Sequence, residues 1–303
     1  MIDPEHRRKI HIGLHEQLTA ALLLCDEEVF NKCPFEILQN INEVLKKDVI
    51  VNKFELPCIF SESCYIILAQ AISAAKFIKS NICIEKISKI FLTDRFWPKE
   101  IQKFNIEKYG MKRYNSSDIV VKCGKKYHGI SLKRKRYETE KDPPFLNKSF
   151  RSILSKDPVH SHILEEYNKN ENLIFSEIVE KAIKENIILV EEYSGNWKEY
   201  IRKIDNKYIN LHLQNNPTIQ KFCSSVFLEN TDLRKLLYTL ALRNDIKELE
   251  SQNFYFNVVM GIGNIKEDKL QVLEGKIINK KEQDLKISVR YNGRYSSGII
   301  CYI

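Results

Sequence analysis

The segment from Ser116 to Lys133, SSDIVVKCGKKYHGISLK, constrains this chain more than any other. Two runs that alternate apolar and polar residues flank Gly124-Lys125. A glycine in the first of two turn positions suits a type II′ hairpin, which needs a positive φ there. With that pair as the turn, Cys123 faces Lys126 and Asp118 faces Ser131. Directly opposed side chains share a face, about 5 Å apart at Cβ. Alternation then sets Asp118, Ser131 and Lys133 on one face, and Ile119, Val121, Cys123, Ile130 and Leu132 on the other. The second face is apolar enough to pack. The first brings a carboxylate and an ammonium to one end of the hairpin.

The surroundings alternate in period. Ile10, Leu14, Leu18, Ala21, Leu22 and Cys25 recur at helical spacing and predict a helix over 5–30. Pro34 starts a second helix, 34–47, with Phe35, Leu38, Ile41 and Leu45 as its stripe. Ser61 is a suitable N-cap for a third, from Glu62 to about Lys79, apolar nearly all round and therefore buried. Ile87, Ile90, Phe91 and Leu92 form a short strand, and Trp97-Pro98 opens a short helix over 98–107. Residues 161–250 read as mostly helical, and the last fifty return to strands at Phe254–Met260, Leu270–Ile278, Leu285–Tyr291 and Ser297–Tyr302. The fold class is mixed α/β (α+β), in four regions: helical 1–60, an α/β core 61–158, helical 159–250, and C-terminal strands 251–303 that can pack on the core as one domain.

Composition narrows the partners. The formal net charge is +8, which suits an anionic partner such as nucleic acid. No run of 18 apolar residues is present and the first residues lack a signal-peptide stretch, so the expectation is no membrane partner and an intracellular, cytoplasmic location. None of the eight cysteines forms a CxxC pair, and several lie in apolar runs. They read as small hydrophobes in a reducing compartment, without structural zinc.

The hairpin, with a helix and a strand ahead of it, resembles the metal-dependent nuclease core of the PD-(D/E)xK superfamily, the restriction-endonuclease-like fold. There an acidic residue opens one strand, and a second acid, a spacer and a lysine close the next. The resemblance covers roughly 61–150 and implies a mixed sheet flanked by helices. It implies Asp118 as a ligand of Mg²⁺ (or Mn²⁺) and Lys133 as the catalytic lysine that positions water. Ser131 occupies the second acidic position, and Asn115-Ser116-Ser117-Asp118 stands where Pro-Asp is nominal. A hydroxyl is a poorer ligand for a hard cation than a carboxylate. Another acid, Glu62 or Glu138, completes the site, or metal binding is weak, or catalysis is lost. Glu62, at the start of the core helix, is the second metal ligand the resemblance suggests.

A basic segment follows at once: Lys133, Arg134, Lys135, Arg136, Lys141, Asn147, Lys148 and Arg151, interleaved with Tyr137, Phe145 and Phe150. Basic groups neutralise phosphates and aromatic rings stack on splayed bases. The plain alternative is a solvated loop. His11 and His15, four apart on a helix, lack a third ligand and read as a helix face. His160 and His162 diverge. Gly261-Ile262-Gly263 reads as strand rather than phosphate loop, and Lys286, Arg290 and Arg294 as a polar strand face. The expectation is a Mg²⁺-dependent endonuclease acting on DNA, with RNA not excluded, of a kind found among restriction enzymes and phage or viral proteins. A homodimer is compatible with the added regions. The alternative is a non-catalytic nucleic-acid-binding protein with an eroded nuclease-like core.

Overall fold

A computed structural model describes residues 4–56, 61–93, 96–109, 111, 114–143, 147–149, 161–191, 193–217, 221, 231–279, 281, 288–291 and 299–302. The chain divides into two compact units, 1–143 with 245–279 and 144–244 with 280–303. The strands expected after 251 are thus shared between the units, and residues 1–60 belong with the core rather than to a region of their own.

In the first unit the helices are α1 (Pro4–Leu22), α2 (Pro34–Leu45) and α3 (Glu62–Asn81). The helix expected over 5–30 is shorter. Its last turn tightens, with Leu24 N donating to Ala21 O and Cys25 N to Leu22 O, and a 3₁₀ segment at Glu27–Asn31 follows. Pro34 opens α2 as expected, helped by Glu36, whose carboxylate accepts from Cys33 N. Ser61 sits at the N-cap of α3, but its hydroxyl meets Ser63 and Cys64 instead of a backbone N–H. The helix expected over 98–107 reduces to a 3₁₀ turn at Gln102–Phe104.

Strands in chain order are β1 (Ile50–Val51), β2 (Ile87–Leu92), β3 (Ile119–Cys123), β4 (Lys126–Lys135), β5 (Asn147–Ser149), β6 (Phe254–Lys266), β7 (Lys269–Val272), β8 (Lys276–Ile277), β9 (Ser288–Tyr291) and β10 (Ile299–Tyr302). All but β5, β9 and β10 form one mixed sheet, ordered β1-β2-β3-β4-β6-β7 with β8 also on β6. The β3–β4 register is the expected one, Cys123 against Lys126 and Ile119 against Ile130, and Gly124 has φ +56°. β4 then runs parallel to β6, from Tyr127↔Phe254 to Lys135↔Ile262. The architecture is mixed α/β, as the sequence predicts.

One face of this sheet carries Ile90, Ile119, Val121, Ile130 and Leu132 into a core built with α1, α2 and α3. α3 lies very close to β6. A Cβ on Gly261 would collide with Gln70 O, and one on Gly263 would stand 2.8 Å from the Ala69 carbonyl carbon. Gln70 Nε2 donates to Gly263 O at 3.2 Å, and Ile262 N to Ser73 Oγ at 2.9 Å. These glycines are therefore where a helix backbone meets a strand backbone, which decides for strand over phosphate loop.

The opposite face is covered as well. Phe104 packs on Phe254 and Tyr127, with ring centroids 4.6 and 5.1 Å away. Tyr114 is buried and its hydroxyl donates to Asp245, which joins 96–117 to the 3₁₀ segment Asn244–Gln252. At the edge of this face, Lys89 and Lys122 are register partners. Like charges placed opposite repel, and Glu100 lies between them, 2.9 Å from Lys89 and 2.7 Å from Lys122. The second unit, by itself, pairs β10 with β5 and β9. It also holds α4 (Ser161–Lys184), α5 (Asn206–Asn215) and α6 (Thr231–Leu242). No helix among the described residues is long and apolar enough to cross a membrane.

The hydrogen bonds from Lys122 and Lys89 lower the Glu100 carboxyl from 4.5 to about 2. A group depressed in the folded state contributes stability above its unfolded value and loses it as pH falls through the folded one. Glu100→Gln is expected to unfold at lower denaturant than the wild type at pH 7. The gap should narrow between pH 4.5 and about 2 in a pH series of urea denaturations. A gap independent of pH would show that the carboxylate charge is not what matters.

Candidate functional site

Asp118 is set by the segment that leads into β3. Asn115 donates from Nδ2 to Phe104 O at 3.0 Å, and its Oδ1 accepts from Ser117 N at 3.1 Å and Ser117 Oγ at 2.6 Å. This closes an Asx turn immediately before the aspartate. Thr93 then bonds to Ser117 O through its hydroxyl and to Asp118 O through its N–H, while Asp118 N donates to Ile130 O at 2.8 Å. Gly129 makes room for this turn, because a Cβ there would collide with Ser117 Oγ and the Phe254 ring.

Asp118 is half-buried, and its Oδ2 accepts from Leu132 N at 2.5 Å and from Ser131 Oγ at 3.2 Å. The hairpin therefore does bring Asp118 to Ser131, as the register predicts. It does so where the strands diverge, with the carboxylate taking the place of the next ladder acceptor. Ser131 is buried. The apolar cover reaches across Val120 and Gly129 and stops near the half-buried Lys133. Lys133 shares the Ser131 face by alternation and makes no ion pair or hydrogen bond among the described residues.

Glu62 is exposed in the first turn of α3 and likewise makes no hydrogen bond or ion pair among the described residues. No group of three His, Cys, Asp or Glu ligands among the described residues includes Asp118. Glu138 is exposed, and among the described residues its hydrogen bond is through its carbonyl, to Lys135.

The basic run splits by strand alternation. Arg134 is half-buried and points with Ile130 and Leu132 toward α1 and α3, where its charge acts on His15. Lys135 is buried, its ammonium donating to Glu138 O at 2.8 Å, Glu140 O at 3.1 Å and Asp142 Oδ1 at 3.2 Å. It holds the loop 138–142 and is not presented to a phosphate, contrary to the expectation. Burying an ammonium requires such partners. Arg136 and Lys141 are exposed. Asn147 and Lys148 stand in β5, which belongs to the second unit; their side chains, and all of Arg151, Phe145 and Phe150, lie outside the described residues.

His15 is buried and lowered from 6.5 to about 3 by burial and the nearby Arg134 charge. It is a neutral core histidine at physiological pH. The side chains of His11 and His162, all of His160, Lys286 and Arg294, and the side chain of Arg290 lie outside the described residues.

No family model, curated protein or solved structure matches the chain.

The Leu132 N–H depends on Asp118 for its acceptor. Asp118→Ala is expected to cost about 1–3 kcal/mol in urea denaturation, the range for stranding a buried donor. Asp118→Asn, which keeps an oxygen at that position, should cost less. Equal losses would show that the carboxylate oxygen is not the partner that counts.

Proposed function

We propose that the protein is a divalent-cation-dependent nuclease that cuts DNA internally, with a restriction-endonuclease-like core in its first unit and Asp118 and Lys133 as its working groups. The register of β3 and β4 carries this reading: it puts a carboxylate at the start of one strand against Ser131 on the next, with a lysine two residues on and on the same face. Helix α3, strand β2 and the hairpin follow in the order that the resemblance requires.

The donor set fits a hard cation through one carboxylate. Magnesium commonly takes one or two carboxylates, keeps several waters and shares substrate phosphate oxygens. Asp118 would hold it, and such an ion lowers the pKa of bound water and offsets charge on the scissile phosphate. The Leu132 N–H and the Ser131 hydroxyl fix the carboxylate in place. The Lys133 ammonium, half-buried and without an internal partner among the described residues, orients the attacking water and neutralises phosphate charge. Arg136 and Lys141 hold the polynucleotide backbone alongside.

Ser131 favours a second reading, a nucleic-acid-binding protein without cleavage. Where a nuclease core has its second acid, this chain has a buried hydroxyl already bonded to Asp118.

Supercoiled plasmid incubated with the protein and Mg²⁺ or Mn²⁺ should be nicked or linearised. Lys133→Ala and Asp118→Asn should lose that activity by about a hundredfold or more, the scale of a positioned catalytic group. Cleavage undiminished in both variants removes the site assignment. Salt-sensitive binding without cleavage in either metal selects the second reading, and a parallel RNA arm decides the polynucleotide. In the binding assay Arg136→Ala with Lys141→Ala should flatten the log–log salt dependence by about two, one for each phosphate no longer neutralised.

A further inference from the structure

Three side chains from separate elements converge at the opposite end of the hairpin from Asp118. Cys83 follows α3 directly, in a turn held by its N–H to Ile78 O at 2.8 Å. Cys123 ends β3, and His128 stands in β4 opposite Val121. Cys123 and His128 are diagonal neighbours on one face of an antiparallel pair, about 7–8 Å apart along the backbone and within reach of an imidazole. That face is the one α3 covers, so the turn after α3 drops Cys83 onto the same spot.

The two Sγ atoms and a ring nitrogen of His128 all lie within 4.8 Å of one another. Cys83 and Cys123 are buried, free thiols. His128 is held by stacking on Tyr255, its register partner in β6, at 5.7 Å between centroids. Its Nδ1 is buried and has no hydrogen-bond partner. A buried imidazole that leaves its Nδ1 without a partner and has a ring nitrogen beside two thiols is an arrangement that a coordinated ion resolves.

We propose that Cys83, Cys123 and His128 bind a zinc ion that ties the end of α3 to the tip of the β3–β4 hairpin. Two thiolates and an imidazole select a borderline-soft cation and disfavour the hard Mg²⁺. Ligand atoms of tetrahedral zinc stand about 3.5 Å apart, given bonds of about 2.0–2.3 Å. On binding, the side chains must rotate to bring the ligand atoms from within 4.8 Å of one another to that spacing. Glu85, two residues past Cys83, lies outside that three-ligand group, with its carboxylate beside Gly124 and 3.5 Å from Lys126 Nζ, and reaches the ion as fourth ligand by giving up that exposed pair. On binding, each thiol releases its proton to solvent as its sulfur bonds the ion. The site is independent of the proposed nuclease centre and has a structural role.

The test uses the full chain, reduced and stripped with a chelator, titrated with Co²⁺ and then Zn²⁺. One equivalent of Co²⁺ should give thiolate-to-cobalt charge transfer and the visible bands of a tetrahedral ion. One equivalent of Zn²⁺ should abolish both and raise the melting temperature. Cys83→Ser and His128→Gln, shown to be folded by circular dichroism, should each weaken binding by about tenfold or more. Glu85→Gln should weaken it less, and Lys133→Ala not at all. Absence of the cobalt bands in reduced protein overturns the proposal. So does their survival in Cys83→Ser with Cys123→Ser, which would place the ion on other cysteines, or a Cys83–Cys123 disulfide in protein purified without oxidant.

Discussion

The close approach of α3 to β6 is the contact on which the first unit depends. Gly261 and Gly263 remove the side chains that would hold helix and strand apart, and Ala69, Ser73 and Ala74 keep the helix surface low at the same places. Ser73 and Gln70 then use the gap for hydrogen bonds to β6 itself. With β6 fixed against the helix, β4 has a parallel neighbour, and the hairpin becomes the centre of a sheet instead of its margin. α1 in turn packs on α3, so the apolar layer behind Ile119, Val121 and Ile130 rests on the same contact.

The hairpin is covered on both sides along its middle, and its partnering changes at its two ends. Each end accordingly collects polar groups. At one end the strands part and Asp118 takes over as acceptor for Leu132; at the other the tight turn at Gly124 leaves Cys123 and His128 beneath the tail of α3. Burial gives both places their character, because polar atoms there must find partners or remain costly. Lys135 illustrates the same rule, since its ammonium is surrounded by two carbonyls and a carboxylate of its own loop.

Local signals were legible. The glycine in the turn set the pairing of β3 with the first half of β4, and period with Pro34 and Ser61 located α2, α3 and β2. What could not be read was tertiary. The pattern of Ile119, Val121 and Ile130 marked one buried face, but Val120 and Gly129 gave no sign that Phe104 and Phe254 cover the other. Lys135 looked like its neighbours in a basic run, and only the path of 138–142 set it apart. Residues 98–107 carry helical spacing, yet their apolar members serve as a lid on the sheet, and packing outweighed propensity there. The diagonal of Cys123 and His128 followed from the hairpin register. Cys83 did not, because its place depends on how α3 ends.

The parallel pairing of β4 with β6 joins residues separated by the whole excursion from Lys135 to Phe254. Contacts so distant in sequence form late, since a long loop must close before they contribute. During synthesis α3, β2, β3 and β4 are complete well before Phe254 exists, and for that interval β4 is an edge strand. Its backbone then shows a row of open donors and acceptors, a ready template for a stray strand. Lys126, Lys133, Arg134 and Lys135 all lie along that edge. Charge along an exposed edge opposes such pairing between nascent copies of the chain.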